Sequence, residues 1–415
     1  MRLIRRASIN RTARPAQLVR AETLTKGCPV KFQVNRDVFS EAVSFAVKLL
    51  PQRTTLPILS GVLLDATGQE NGQSVLTLSS FDYEVSAQTE VAAEIEEPGR
   101  VLVSGRLLAE IASRLPNAPV VFSTEDSKIT VSCGSAHFTL LSMPVEEYPT
   151  LPQIAPSSGS LPAEAFANAV SQVAVAASRD DVTPVITGVQ LEVSTTSLSL
   201  VATDRYRVAV REIEWTASDS ITESITALVP ARTLTEIGKT FGHSGTISIA
   251  ITSSDERELI AFQAEKRTVT SLLIKGNFPP VKRLFPESVD NYAVMNTAEL
   301  IEATRRVSLV LEREAALRFS FSIDGLTLEA IGSEQAQASE TIDAFLTGGD
   351  TVVSLKPQFL LDGLGAVHSE FVRISFTKTD NPNKPGPVLI TSQSSKDQAG
   401  ADNYKYLLQP NLLLR

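Results

Sequence analysis

The chain of 415 residues holds three histidines, His137, His243 and His368, and two cysteines, Cys28 and Cys133. Imidazole next to a carboxylate or thiol supports general-base and nucleophilic chemistry, and closely spaced His and Cys bind zinc. These histidines lie far apart and have no metal-ligand spacing. Two cysteines cannot build a disulfide framework or a cysteine-rich zinc site. Asp82 and Asp204 could form an acid–base pair, but they occupy matching places in two copies of an internal repeat. That puts them in separate domains, as turn or cap residues. The sequence has no P-loop, no Gly-rich dinucleotide fingerprint and no Gly-x-Ser-x-Gly elbow. No catalytic set, metal or cofactor is therefore expected, and the residues point to a binding or scaffold protein.

The repeat carries the argument. A strand–helix signature occurs at Phe32–Val43, Leu161–Val170 and Met295–Thr304. Leu56-Pro-Ile-Leu-Ser-Gly-Val-Leu-Leu64 matches Thr183-Pro-Val-Ile-Thr-Gly-Val-Gln-Leu191. Leu76-Thr-Leu-Ser-Ser-Phe-Asp82 is echoed by Leu198-Ser-Leu-Val-Ala-Thr-Asp204 and by Leu326-Thr-Leu-Glu-Ala330. Val103–Ile111 returns as Val229–Ile237 and Leu355–Gly363, so that Glu110, Glu236 and Asp362 are 126 residues apart at each step. Apolar stripes at helical spacing mark two helices per copy, among them Phe39, Ala42, Val43, Ala46 and then Leu107, Leu108, Ile111, Leu115. Asn35 and Ser104 are expected N-caps, with Pro162 and Pro230 in first turns. Two helices covering antiparallel strands in each copy give an α+β protein of three repeated domains.

Pro-rich segments at Tyr148–Pro152 and Phe278–Pro286 divide the chain into domains 30–152, 153–286 and 287–415. Hydrophobic residues at 43% and charged residues at 20% suit a soluble globular protein. No stretch approaches the roughly 18 apolar residues of a membrane helix, and a cytoplasmic setting is expected. The net charge is −9, but residues 1–30 alone carry +6, leaving −15 for the rest. An acidic body excludes indiscriminate binding of nucleic acid and leaves room for a local basic surface. Residues 1–29 lack the apolar core of a secretion signal. Their Arg-rich composition resembles a transit peptide, and a DNA-touching arm is a further alternative; a basic, disordered tail is the expectation adopted.

The motifs Arg53-Thr-Thr-Leu-Pro-Ile-Leu-Ser-Gly61, Met143–Pro152, Ala202-Thr-Asp-Arg-Tyr-Arg-Val-Ala209 and Tyr406-Leu-Leu-Gln-Pro410 resemble those of the bacterial sliding-clamp family, the beta subunits of DNA polymerase III. The resemblance covers residues 30–415. It implies the DNA clamp fold, closed as a head-to-tail homodimeric ring around double-stranded DNA, without sequence preference. It also implies docking of the replicative polymerase, clamp loader and repair proteins through short peptides, with no membrane partner. A repeat scaffold that does not enclose DNA is the alternative.

The candidate DNA-facing cations are Arg53, Arg106, Arg179, Arg232, Lys239, Arg305, Arg306 and Lys356, with Arg53 aligned to a DNA-contacting arginine of the family. The resemblance assigns a peptide groove to Ile186, Thr203, Arg205, Tyr206, Arg207, Val208, Pro279, Arg283, Leu284, Pro387, Leu407, Leu408, Gln409 and Pro410. It assigns the dimer seam to Phe138 and Leu140 on one subunit and Ser308 and Leu309 on the other. This chain departs from the family in having Arg205-Tyr206 where Gly-His is common. It also has Gln409 where the family often has Met.

Overall fold

The computed structural model describes residues 29–50, 56–70, 72–219, 221–253, 258–312, 315–331, 336–377, 385–395, 398, 400 and 403–412. Residues 1–28 and Arg53 lie outside the described residues, so the expected tail and that candidate contact have no structural counterpart here.

Each repeat builds two helices, each entered directly from a strand. The helices are α1 (Arg36–Lys48), α2 (Gly105–Ala112), α3 (Ala163–Ala174), α4 (Ala231–Phe241), α5 (Thr297–Val307) and α6 (Pro357–Gly365). Asn35 caps α1 by accepting from the Asp37 and Val38 N–H groups at 2.9 and 3.3 Å. Asn296 caps α5 through Glu299 N–H at 3.1 Å. Ser104 occupies the N-cap position of α2 without a side-chain cap bond. Pro162 and Pro230 are N-cap residues rather than first-turn residues. Each is still the last residue of a strand, paired with Thr246 and Gly188 respectively. A fixed proline φ suits both the strand end and the helix entry.

The helices bury the expected stripes, with Phe39, Val43, Phe166, Val170, Leu234, Phe241 and Leu300 at most 1% exposed. Leu107 is the exception at 46% exposed. It neighbours Leu108 in sequence, about 100° around the helix, and the core-facing stripe runs through Leu108, Ile111 and Ala112 instead.

The strands form four antiparallel sheets among the described residues: one of five strands, two of nine and one of four. Each nine-stranded sheet crosses a domain boundary. At the first seam strand Val85–Ala92 pairs with Arg267–Leu272, with Ala87 opposite Val269. At the second, Arg207–Glu214 pairs with Asn403–Leu408, with Ala209 opposite Tyr406. The helices follow the same order. Phe45 of α1 meets Phe241 of α4 at 6.0 Å between ring centres, and Gln172 of α3 donates to the Ala366 carbonyl beyond α6 at 2.8 Å. With the helix pairs inside each domain, this makes one row: α2, α1, α4, α3, α6, α5.

Two linkers cross the outer sheet faces. Met143, Val145, Tyr148 and Leu151 pack on Phe81 and Leu102. Phe278, Val281 and Phe285 pack on Val201, Val208, Leu389 and Leu407. The corresponding face of the third domain carries the Arg318–Glu329 ion pair and Thr327 beside Thr341. Strand faces there are apolar where a linker covers them, and polar on the four-stranded sheet of the third domain, which neither linker covers among the described residues.

Tyr148 anchors the first linker. Its hydroxyl accepts from Phe81 N–H at 2.7 Å and donates to the Gly61 carbonyl at 3.3 Å. Burial pushes its pKa up to about 12 from 10.0, against the hydrogen bond from Phe81. The neutral phenol is favoured in the fold, so its contribution is complete below pH 10 and is lost as pH rises to about 12. Tyr148→Phe is expected to cost about 1–3 kcal/mol in urea unfolding at neutral pH. It should also remove that part of the alkaline stability loss.

Candidate functional site

Three candidate surfaces have to be located. The first is a pocket of about 570 Å³ between the second and third domains. Its walls are the segment after α3 (Ala177 to Asp180, with Thr183 and Ile186), the turn Asp204–Arg207, and Gln358, Phe359 and Asp362 of α6. Arg207 lies beneath it and is 6% exposed. Its guanidinium donates to Asp204 at 2.9 Å, to Asp362 at 2.6 Å and to the Tyr406 hydroxyl at 3.2 Å, and lies 4.4 Å from the centre of the Phe359 ring. Burial works against this charge, but Tyr406, Asp362 and Asp204 outweigh it and raise the pKa above the ordinary guanidinium value. Tyr406 donates in turn to the Phe359 carbonyl at 2.7 Å. Above this cluster the Tyr206 ring, 58% exposed, stacks on Phe359 with centres 6.0 Å apart.

Of the expected groove residues, Ile186, Arg205, Tyr206 and Arg207 line this pocket, and Thr203 is buried behind it, donating to the Arg207 carbonyl. Pro279 and Arg283 line a second, smaller depression of about 270 Å³ on the linker, with Leu284 exposed on the same turn. Val208 and Leu407 belong to the buried apolar cluster beneath that linker. Leu408 and Pro410 are buried. Gln409 N–H donates to the Tyr206 carbonyl at 2.8 Å and its side chain to Pro385 at 3.1 Å. Pro387 accepts from Thr377 at the start of its strand. The expected groove residues thus border two depressions, one at the domain junction and one on the linker.

Sequence reasoning missed Phe359 and Asp362 as pocket residues. Phe359 and Leu360 stand side by side in an apolar run on α6, where spacing alone reads both as core. Asp362 matches Glu110 and Glu236 of the other repeats, and the second domain has Arg207 at the facing turn position where the first has Val85.

The second surface is the helix row. Arg106 on α2, Arg232 and Lys239 on α4, and Arg305 and Arg306 on α5 are all exposed. Lys239 pairs with Glu236 at 3.0 Å, Arg305 with Glu302 at 2.7 Å, and Arg306 with Glu340. Arg179 and Lys356 stand elsewhere. Arg179 lines the pocket, and the Lys356 ammonium lies 5.9 and 5.6 Å from the Tyr206 and Phe359 rings. Both follow or precede their helices, so their side chains reach the domain junction. Lys48 and Arg114 join the row and were not singled out from sequence.

The third surface is the pair of open ends. Strand Ala136–Leu141 closes the five-stranded sheet and Gln337–Ile342 the four-stranded one. Leu140 is buried, Phe138 is half-buried and Leu141 is 73% exposed at the first end. Ser308 and Leu309, the latter 83% exposed, follow α5 at the second. The three histidines are exposed, each in a different domain, and His137 bonds only Ser132, at 3.0 Å, among the described contacts.

Models of the N-terminal, central and C-terminal domains of the DNA polymerase III beta subunit match residues 30–152, 160–280 and 282–398. The chain belongs to the DNA polymerase III beta subunit family. It is 47% identical over 382 residues to the beta sliding clamp of Streptomyces coelicolor, covering 92% of this chain and 99% of that one. The beta sliding clamp homolog GriR of Streptomyces muensis is 39% identical over 92% of this chain and 99% of its own length. The solved sliding clamp of Bacillus subtilis superposes with a TM-score of 0.82 at 25% identity, covering 93% of this chain and all of that one. A Pseudomonas aeruginosa clamp solved with griselimycin bound gives 0.81 at 26% identity, covering 92% and 100%.

As a beta subunit the chain is a DNA sliding clamp, a non-catalytic component that makes replication processive. Asp82 and Asp204 serve turns: Asp82 accepts from the Glu84 and Val85 N–H groups, and Asp204 from those of Tyr206 and Arg207. In this beta subunit Arg207→Met is expected to leave Asp204 and Asp362 facing each other without their shared cation. It should lower stability by about 3–5 kcal/mol, read as a fall in the thermal unfolding midpoint. Arg207→Lys should recover only part of that loss, because one ammonium cannot serve both carboxylates and the Phe359 face.

Proposed function

We propose that two copies close head to tail into a ring, in the cytoplasm, by joining strand Ala136–Leu141 of one to Gln337–Ile342 of the other. The observation that carries this is the incomplete pair of sheets: five strands and four, where both internal junctions make nine. In the repeat, Phe138 corresponds to Val269 and Tyr406, and Ala338 to Ala87 and Ala209. The seam therefore has Phe138 opposite Ala338 and His137 opposite Ser339 of the partner copy. Phe138, Leu140, Ser308 and Leu309 are covered there, along with exposed Leu107 and Leu141, as exposed apolar groups at an open end require. The repeats 30–152, 153–286 and 287–415 become the six domains of the ring.

The helix row then faces the hole, where Arg106, Arg232, Lys239, Arg305 and Arg306 meet phosphates without reading bases. Arg53 is a further DNA contact. Arg179 and Lys356, which sit at the pocket, are better assigned to docking. The pocket at Ile186, Arg205, Tyr206 and Phe359 takes short peptides of the polymerase, clamp loader and repair proteins, with Thr203, Arg207, Val208, Leu407, Leu408 and Pro410 as its support. Pro279, Arg283, Leu284, Pro387 and Gln409 extend it along the linker. An apolar floor with a few polar groups at the edge is the common form of such sites.

The ring is tested on nicked circular plasmid with a cognate loader and ATP. Protein should survive a high-salt wash and leave once the DNA is cut; nothing salt-resistant on the circle, with an active loader, would overturn enclosure. The register is tested with His137→Cys combined with Ser339→Cys, which should oxidise to covalent dimers under mild conditions. Moving one cysteine to Thr139, two residues out of register with its partner across the seam, should not. Charge removal at Arg106, Arg232 and Lys239 together should lower retention on DNA and flatten its salt dependence, with peptide docking unchanged.

A further inference from the structure

The turn that carries Arg205 has a backbone made for glycine. Arg205 has φ +79° at the first central position of a two-residue hairpin turn, where glycine is favoured. Asp204 holds the turn by accepting from Tyr206 and Arg207 N–H, each at 3.1 Å. The first domain has the same turn with Tyr83 at φ +75°, so the backbone strain belongs to the repeat and indicates no ligand. The side chain is what differs. The Arg205 guanidinium reaches across to the Thr183 hydroxyl, on the opposite wall of the pocket.

The charges around it are arranged unevenly. Asp204 and Asp362 are engaged by Arg207, and Asp362 also accepts from Gln358 at 2.7 Å. Asp180 accepts from Val182 N–H at 3.0 Å. Arg179 and Arg205 stand in the walls, and Lys356 lies beside the Tyr206–Phe359 stack. The pocket therefore joins an apolar floor to a rim of cations, while Asp204 and Asp362 are occupied from below.

Building on the reading of this pocket as a peptide-docking site, we propose that Arg205 is a specificity-determining residue that selects peptides with an aspartate or glutamate beside an apolar side chain. The apolar group lies on Tyr206 and Phe359. The carboxylate takes the guanidinium, exchanging its bond to the uncharged Thr183 hydroxyl for one to an anion, in which both partners are charged.

The test uses the full-length chain and two fluorescein-labelled peptides, Ser-Leu-Asp-Phe-Leu-Ser and Ser-Leu-Asn-Phe-Leu-Ser, in anisotropy titrations at low and high salt. The native chain should prefer the aspartate peptide by about tenfold at low salt, and less at high salt. Arg205→Gly suits the turn and relieves its positive φ, so it should fold at least as well as the native chain. In it the preference, read as the ratio of the two affinities within that one variant, should fall within about twofold. An aspartate preference that survives Arg205→Gly overturns the assignment. Equal binding of both peptides by the native chain overturns it too and leaves peptide docking intact. If neither peptide binds the native chain, the docking reading falls with it.

Discussion

A strand edge is a row of unpaired backbone donors and acceptors, and this molecule is organised around covering them. The first two domains each offer an edge to the next, and the chain satisfies both internally, at Val85–Ala92 against Arg267–Leu272 and at Arg207–Glu214 against Asn403–Leu408. Three units joined in this way leave one edge open at each end. Among the described residues no further strand pairs with them. The same pairing between two chains closes both ends at once, which is the economy of a head-to-tail ring built from an odd number of repeats.

Backbone register is common to the two internal seams, but their side chains do different jobs. The first is joined by Phe45 against Phe241, with Arg267 reaching Glu41 and Lys266 reaching Glu70 at the surface. Exposed pairs of that kind contribute little on their own. The second is joined by buried Arg207 between Asp204 and Asp362, with Tyr406 and Phe359 around it. This buried charge favours one relative placement of the domains, because any other loses Asp362 and Tyr406 and leaves it only Asp204 of its own turn. The pocket proposed for docking lies directly over this cluster.

The same logic divides the outer faces. Phe81 and Leu102 in the first domain, and Val201 and Val208 in the second, are apolar because a linker lies across them. The third domain has Arg318, Glu329 and Thr327 in that region. The divergence of the third repeat is therefore not a loss of fold; its four-stranded sheet meets water where the matching sheets of the others meet chain.

The sequence by itself determined the repeat, the two helices per copy and the α+β class, because helical stripes and duplicated motifs are written in local order. Asn35 as a cap and Asp82 and Asp204 as turn residues were equally local and equally readable. Family resemblance supplied the candidate sites by position alone. Tertiary structure decided the rest. Leu107 belongs to a correct stripe by spacing and yet faces outward, since one residue shifts a helix by about 100°. Arg179 and Lys356 read as helix-face cations and stand at the pocket instead, because both lie at helix ends beside the domain junction. Asp362 and Phe359 became pocket residues only when strand Asn403–Leu408 brought the third domain against the turn holding Arg207. Pairings between residues some 155 positions apart, such as Arg207 with Asp362, leave no periodic trace in the sequence. They exist only once the sheet has joined the two domains.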